Sequence, residues 1–201
     1  MSNETALLSI AALKAAAYAA EDAKSTTRFY LAGVLVEIAA DQAIYVATNG
    51  HIMFAYRSVR DAHTLRGNWI IPIATIKALK YRKRGSPDAT LMRTPGPGNL
   101  MTIKTQEQSL DFTPIDGTFP DWRKVVPERT KGHTKENLEY DTKLMERLYK
   151  AGQMLVLGEP CLSPNDDGAA LVTYSSDNAI GLIMPKRGPL KKPEPAPAGA
   201  H

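Results

Sequence analysis

The stretch Trp69-Ile70-Ile71-Pro72-Ile73-Ala74-Thr75-Ile76-Lys77-Ala78-Leu79-Lys80-Tyr81 holds two kinds of structure back to back. Trp69 to Pro72 is a short extended apolar run. From Ile73 onward apolar side chains fall at Ile73, Ile76 and Leu79, with cations at Lys77, Lys80, Lys83 and Arg84. That spacing buries one face of a helix and leaves the other basic. The expected helix runs over 73–84, with Gly85 placed to close it in the left-handed conformation.

The same junction occurs twice more. Leu8-Ser9 leads into a helical pattern over 10–18, and residues 137–141 lead into another over 142–150. The three helix starts lie about 65 residues apart, which marks an internal repeat. Ser9 and Asp141 stand where N-caps are needed, and Gly152 is placed to close the third helix. Strand-like runs follow each helix. After the first they cover 29–38, 43–48 and 52–58, with Asn49-Gly50 as a tight hairpin turn. After the second they cover 90–93, 100–104 and 109–113, with a wide turn over 95–99. After the third they cover 154–157, 169–174 and 179–184.

The pattern is therefore β-α-β-β-β, three times over, in an α+β fold with helices on one face of antiparallel sheets. One such unit leaves open sheet edges, and pairing two units solves that problem. Residues 1–127 are expected to form a domain of two half-units, and 137–187 a half-domain. Residues 128–136 read as a polar linker. Residues 188–201, with Pro189, Pro193, Pro195 and Pro197, read as an extended, disordered tail.

Composition narrows the function. With 201 residues, 43% of them hydrophobic and 23% charged, the chain has the balance of a globular protein. Its length corresponds to roughly 1.3 usual domains. No apolar run approaches the ~18 residues of a membrane span, so no membrane partner is expected. Met1-Ser2-Asn3-Glu4 lacks the basic start of a signal peptide. The lone Cys161, beside Pro160 in an expected loop, points to a reducing cytoplasm. His51, His63, His133 and His201 show no H-x-x-x-H spacing and there is no C-x-x-C, so no metal or cofactor is expected.

Catalytic constellations are scarce. The glycines of 95–99 lack phosphate-loop spacing. His51 has no implied nucleophile, and Asp116 and Asp121 lack a third carboxylate for a metal-dependent nuclease. The residues point to binding rather than catalysis. Net charge is +4, unevenly spread: six basic residues lie from Arg66 to Arg84, with no Asp or Glu between Asp61 and Asp88. All three helical patterns carry cations off their apolar stripe. They are Lys14 on the first, Lys77, Lys80, Arg82, Lys83 and Arg84 on or after the second, and Lys143, Arg147 and Lys150 on the third. Two readings stand. The cations are solvated helix faces, or they contact the phosphates of a nucleic acid without reading its bases.

Three stretches resemble the central domain of the bacterial sliding clamp, the beta subunit of DNA polymerase III. They are Arg28-Phe29-Tyr30-Leu31-Ala32-Gly33, Val46-Ala47-Thr48-Asn49-Gly50-His51, and Gly117-Thr118-Phe119-Pro120-Asp121-Trp122-Arg123-Lys124-Val125-Val126-Pro127. The family's runs read R-Y-Y-L-N-G, A-T-D-G-H and F-P-D-Y-R-x-V-x-P, in that order and spacing. Leu182-Ile183-Met184-Pro185-Lys186-Arg187 is similar to the M-P-x-R ending of the family's last domain. The resemblance covers residues 5–127 closely and 137–187 more loosely.

What it implies is a non-enzymatic ring of domains, with helices lining a hole the size of duplex DNA. Such a clamp is a processivity factor in DNA replication that tethers polymerases and repair factors through short peptides. Carried over by motif, the peptide pocket takes Leu31, Thr48, Gly50, His51 and Met53 from the first two runs. The third run supplies Pro120 and Val125, and the last Leu182, Met184 and Pro185. Two departures stand out: Asn49 replaces the family's usual Asp, and Ile52 its Arg. No counterpart of the first domain, or of the first half of the last, is present. The reduction suggests a phage or mobile-element version, and the tail lies next to the pocket.

Three functions follow as alternatives. The first is a homo-oligomeric ring on double-stranded DNA, in which about four chains of one and a half domains add up to six domains. The second is a non-ring mimic that captures clamp-binding peptides of host replication factors. The third is a nuclease using Asp116, Asp121 and His51.

Overall fold

The computed structural model describes residues 4–23, 27–59, 63–81, 88–95, 98–127, 138–165 and 168–186. Arg82, Lys83, Arg84 and Gly85, the linker over 128–136 and the tail over 188–201 lie outside the described residues. The first unit is β1 (Thr5–Leu8), α1 (Ile10–Ala17), β2 (Gly33–Ile38), β3 (Gln42–Thr48) and β4 (Ile52–Val59). The second is β5 (Gly67–Pro72), α2 (Ile73–Ala78), β6 (Ala89–Arg93), β7 (Met101–Lys104) and β8 (Ser109–Phe112). The third has α3 (Thr142–Met154), β9 (Cys161–Ser163), β10 (Ala170–Thr173) and β11 (Ala179–Ile183).

The strands form two antiparallel sheets, ordered β1-β6-β7-β8 and β5-β2-β3-β4-β11-β10-β9. Each of the first two units lodges its opening strand in the other's sheet. β1 pairs with β6, and β5 with β2 over the register Gly33↔Pro72 to Ile38↔Gly67. The two units are interlocked as a result. The third extends the longer sheet across the seam between β4 and β11, where Met53 faces Leu182 and Phe54 faces Gly181. Arg57 fixes that register: its backbone N–H donates to Asn178 O at 2.8 Å. Its Nε and Nη2 donate to Asn178 Oδ1 at 3.2 and 2.9 Å.

The main core lies where the helices meet the sheets. It gathers Leu8, Leu13, Tyr45, Phe54, Leu91 and Leu148, among others, and α3 packs directly on α1. The alanines of α1 permit that approach: Ala12, Ala15 and Ala16 are buried. A second apolar cluster occupies the opposite face of the longer sheet, from Leu35, Val46, Met53 and Ile70 to Leu171 and Leu182. Ile115, Phe119, Trp122 and Val126 cover it. β2, β3 and β4 thus bury both faces, which is why they read as nearly unbroken apolar runs.

Several expected boundaries differ. The second helix ends at Ala78, not Arg84, because Leu79 turns extended (ψ 124°) and drops into the core. Residues 29–31 form a 3-10 turn, so the strand begins only at Gly33. Among residues 138–141 there is no strand before α3, and residues 154–157 are not a strand either. The helix runs past Gly152 to Met154, and the next strand is at Cys161, where a loop was expected.

The α3 terminus explains this. Asp141 Oδ1 accepts the N–H groups of Lys143 (2.8 Å) and Leu144 (3.3 Å) at the start, as expected of an N-cap. At the end, Val156 N donates to Gln153 O (3.3 Å) and Leu157 N to Gly152 O (3.0 Å), a Schellman pattern. Its left-handed position is filled by Val156 (φ 55°) rather than a glycine, and that side chain is 89% exposed. A β-branched residue there costs about 1–2 kcal/mol, while glycine adds back ~0.5–1 kcal/mol of chain entropy. Val156→Gly is therefore expected to raise stability by about 0.5–1 kcal/mol, read as a higher urea midpoint with unchanged slope.

Candidate peptide-binding cleft and helix face

The turn between β3 and β4 is built by its own side chains. Thr48 Oγ1 donates to Ile52 O (2.7 Å) and accepts from Gly50 N (3.0 Å). Asn49 Oδ1 accepts from His51 N and Ile52 N, both at 2.9 Å. Asn49 thus has both turn N–H groups on one buried oxygen, work that an aspartate carboxylate would also do. Gly50 sits at φ +86°, and a Cβ there would lie 2.7 Å from Arg28 Nη1. Glycine is required by the backbone conformation, whereas the guanidinium against it ends a flexible side chain that can move aside. Arg28 Nη2 in turn donates to Asn49 O (2.9 Å) and Glu21 Oε2 (2.7 Å). Ile52 is buried in the main core rather than standing out as a charged group would.

A strap over 114–126 crosses the outer face of the longer sheet. Ile115 N donates to Ile70 O at 2.9 Å. Arg123 grips Glu37 on β2 with both terminal nitrogens (2.6 and 3.0 Å), and its guanidinium lies 4.3 Å from the centre of the Trp122 ring. Trp122 Nε1 also donates to Glu37 Oε1 (3.4 Å). The Asp121-Trp122-Arg123 run is thereby a clasp onto β2, and the pairing with Glu37 pushes the Arg123 pKa up.

Between this strap, the 29–31 turn, the β3–β4 turn and the end of β11 lies an apolar cleft of about 240 Å³. Leu31, Met53 and Leu182 are buried in its floor, two of them facing each other across the β4–β11 seam. Val125 (58% exposed) and Met184 (43% exposed) stand on its rim. Thr48, Gly50, His51 and Pro120 complete the expected residues present. Pro185 does not line it. It stands between two backbone contacts: Met184 N donates to His51 O (2.8 Å), and Lys186 N to Glu139 O (2.7 Å). Residues not expected there are Arg28, Tyr30, Ile52, Asp121, Trp122 and Ala169. Arg28 and Tyr30 lay inside the first quoted run; Ala169 reaches the cleft only by the third unit's docking. Asp116 lines a neighbouring cleft of about 440 Å³, with Asp121 on the shared wall.

The helix-face cations divide. Lys14 Nζ donates to Ile76 O (3.0 Å), joining α1 to α2, and burial pushes its pKa down. Arg147 donates through Nε to Tyr18 O and through Nη2 to Ala20 O, tying α3 to the exit of α1. Lys150 is paired with Glu146 (2.8 Å). Lys77, Lys80 and Lys143 are exposed. Arg82, Lys83 and Arg84 lie outside the described residues. Two of the expected phosphate contacts therefore hold helices together.

Residues 9–121 match the family model of the DNA polymerase III beta subunit, central domain. The chain belongs to this family. Its beta-subunit likeness also extends to a curated relative, the beta sliding clamp of Vibrio cholerae, at 27% identity over 135 residues. That alignment covers 66% of this chain and 35% of the relative, so the chain spans about a third of the relative's length. Two solved structures from Pseudomonas aeruginosa share the fold. The DNA polymerase sliding clamp with ligand is 17% identical with a TM-score of 0.66, covering 92% of this chain and 66% of that one. The DNA polymerase III subunit beta is 16% identical with the same TM-score and coverages. The likeness confirms an α+β, sliding-clamp fold. Among the described residues, no helix is long and apolar enough to cross a membrane.

Proposed function

We propose that this beta-subunit relative is a non-enzymatic tether in DNA replication that captures short apolar peptides of polymerases and other replication proteins in the cleft. The observation that carries the reading is the cleft itself: apolar floor, exposed Met184 and Val125 on the rim, and walls drawn from distant parts of the chain. Exposed apolar side chains around a preformed hollow cost free energy until a partner covers them. Methionine on the rim adds a side chain that reshapes to its guest. We further propose that residues 1–127 act as one domain and 137–187 as a half-domain. On this reading, copies of the chain assemble around duplex DNA in the cytoplasm, with Lys77, Lys80 and Lys143 toward its phosphates.

A second reading, a peptide-capturing mimic that forms no ring, is favoured by one feature. The outer strand β9 has three residues and is bracketed by Pro160 and Pro164. A short, proline-bounded edge is poor at adding a strand from another chain.

One set of measurements separates these. A fluorescent synthetic peptide with leucine and phenylalanine anchors is expected to bind the full chain. It should bind Met184→Ala and Val125→Ala about tenfold more weakly, the usual effect of trimming a central contact. Equal affinities would place the peptide elsewhere. The ring reading expects oligomers by light scattering and retention on nicked circular DNA but release from linear DNA; a monomer that is never retained leaves the mimic.

A further inference from the structure

The strands that end the two sheets are β1, β8, β5 and β9, and their outer sides differ. On β5, Ile70 O accepts from Ile115 N at 2.9 Å. β1 is closed by Thr64 N and Leu65 N, each 2.9 Å from Thr5 O, and by His63 Nδ1, which accepts from Leu7 N at 3.2 Å. β9 has three residues between Pro160 and Pro164. β8 has no proline within it, and among the described residues no backbone hydrogen bond reaches it beyond its ladder to β7. Such an edge is a template for a further strand.

The repeat identifies the strand that fits. β4, β8 and β11 are the last strands of the three units, and β4 pairs antiparallel with β11. Units therefore meet through last strands, and within one chain β8 has none left to meet. The helices follow the same rule. α1 and α2 share the pattern I-A-x-x-K-A-x-x-Y over 10–18 and 73–81. On α1, against which α3 packs, Ala15 is buried and Ala11 half-buried; the matched Ala78 and Ala74 on α2 are exposed.

We propose that β8 is a self-association edge, pairing antiparallel with β8 of a second copy across a two-fold axis. Charge selects the register. Thr105 N donates to Gln108 O (2.8 Å), so by alternation Ser109 and Asp111 aim their backbone polar groups outward. Opposed residues must share a face, which leaves either Leu110 or Asp111 on the axis. Asp111 on the axis would set two carboxylates against each other. Leu110 on the axis instead sets Ser109 opposite the partner's Asp111, with exposed Lys104 next in that row. It also joins Leu110, which packs on the main core, to its own copy.

An edge this short makes a weak interface, with a dimer Kd on the order of 0.1 mM. Sedimentation equilibrium of the full chain from about 10 μM to 1 mM is expected to show a mass rising toward two chains. Asp111→Pro removes an outward N–H without touching the β7 ladder and should leave a monomer. Ser109→Asp sets like charges opposite each other and should weaken the dimer about three- to tenfold. The swap, Ser109→Asp with Asp111→Ser, should restore it. With Cys161→Ser in place, Leu110→Cys should form an intermolecular disulfide in oxidised glutathione, since axial Cα atoms lie about 4.5 Å apart, and Asp111→Cys should not. Urea melts confirm that each variant is folded. A monomer throughout the range overturns the proposal, as does a dimer that Ser109→Asp and Asp111→Pro leave intact. A disulfide through Asp111→Cys alone overturns the register. The cleft is tested separately by the leucine–phenylalanine peptide, so neither reading falls with the other.

Discussion

Replacing Arg147 with methionine is expected to cost about 3 kcal/mol of stability and about 6–12 °C in Tm. Its guanidinium donates to the carbonyls of Tyr18 and Ala20, where α1 has ended and the chain turns toward Glu21. Burial presses the Arg147 pKa down against the opposing pull of Glu21. Hydrogen bonds to a charged group contribute ~1.5–3 kcal/mol each, and half-exposure places this pair toward the lower end. Methionine keeps the apolar stem, so the loss reports the polar contacts rather than a cavity. The comparison is Lys143→Ala. Lys143 is exposed, so its loss is expected to leave stability within ~0.5 kcal/mol and to lower the salt slope of DNA binding by about one. Urea melts of both variants beside DNA affinity at two salt concentrations separate the roles. A stable Arg147→Met with weakened DNA binding would return Arg147 to the phosphate-contacting set.

What could be read from the chain and what could not divides by distance along it. The β3–β4 turn is legible in Thr48-Asn49-Gly50-His51 because every hydrogen bond that builds it is local. The Asp141 cap is legible for the same reason. The strap's apolar residues and Trp122-Arg123 are visible as a motif, but not their grip on Glu37, 86 residues away. The cations show the limit most clearly. In the sequence Lys14 and Arg147 read as solvated or phosphate-contacting charge, and their carbonyl partners lie 62 and 129 residues away. Likewise, the period-2 pattern reveals strands without revealing that β1 pairs with β6 or that β11 pairs with β4. Most of the residues that line the cleft stand in the quoted motifs, while Pro185, named with them, does not line it.

Gly152→Leu is expected to abolish stable packing of α3, and Gly152→Ala to lower stability by about 1 kcal/mol. Within a helix, glycine to alanine alone would add ~1 kcal/mol of stability. Here a Cβ would lie 2.7 Å from Tyr174 Cε1 and 3.0 Å from Cδ1. The ring has little room to retreat. Its hydroxyl donates to Leu148 O at 3.0 Å, and its edge meets Phe54 at 5.6 Å and 81°. Burial also drives the Tyr174 pKa up, as fits a hydroxyl enclosed on several sides. A Cβ on Gly181 would lie 3.1 Å from Val172 Cβ on the neighbouring strand and in ordinary contact, at 3.4 Å, with Leu148 Cδ2 and Tyr174 Oη. The tight contact of α3 is therefore at Gly152, and the glycine that looked like a helix stop is a point of close packing. Overpacking of this kind costs ~1–3 kcal/mol, against which the propensity gain is smaller. The consequence reaches the cleft, since Leu182 follows Gly181 and Met184 closes the rim. Peptide affinity is expected to fall along with stability. Tyr174→Leu should recover part of the loss in the Gly152→Ala background, giving a coupling energy of about 1 kcal/mol in a double-mutant cycle. An unchanged or raised urea midpoint for Gly152→Ala alone would mean that the ring yields easily and that this contact does not set how α3 docks.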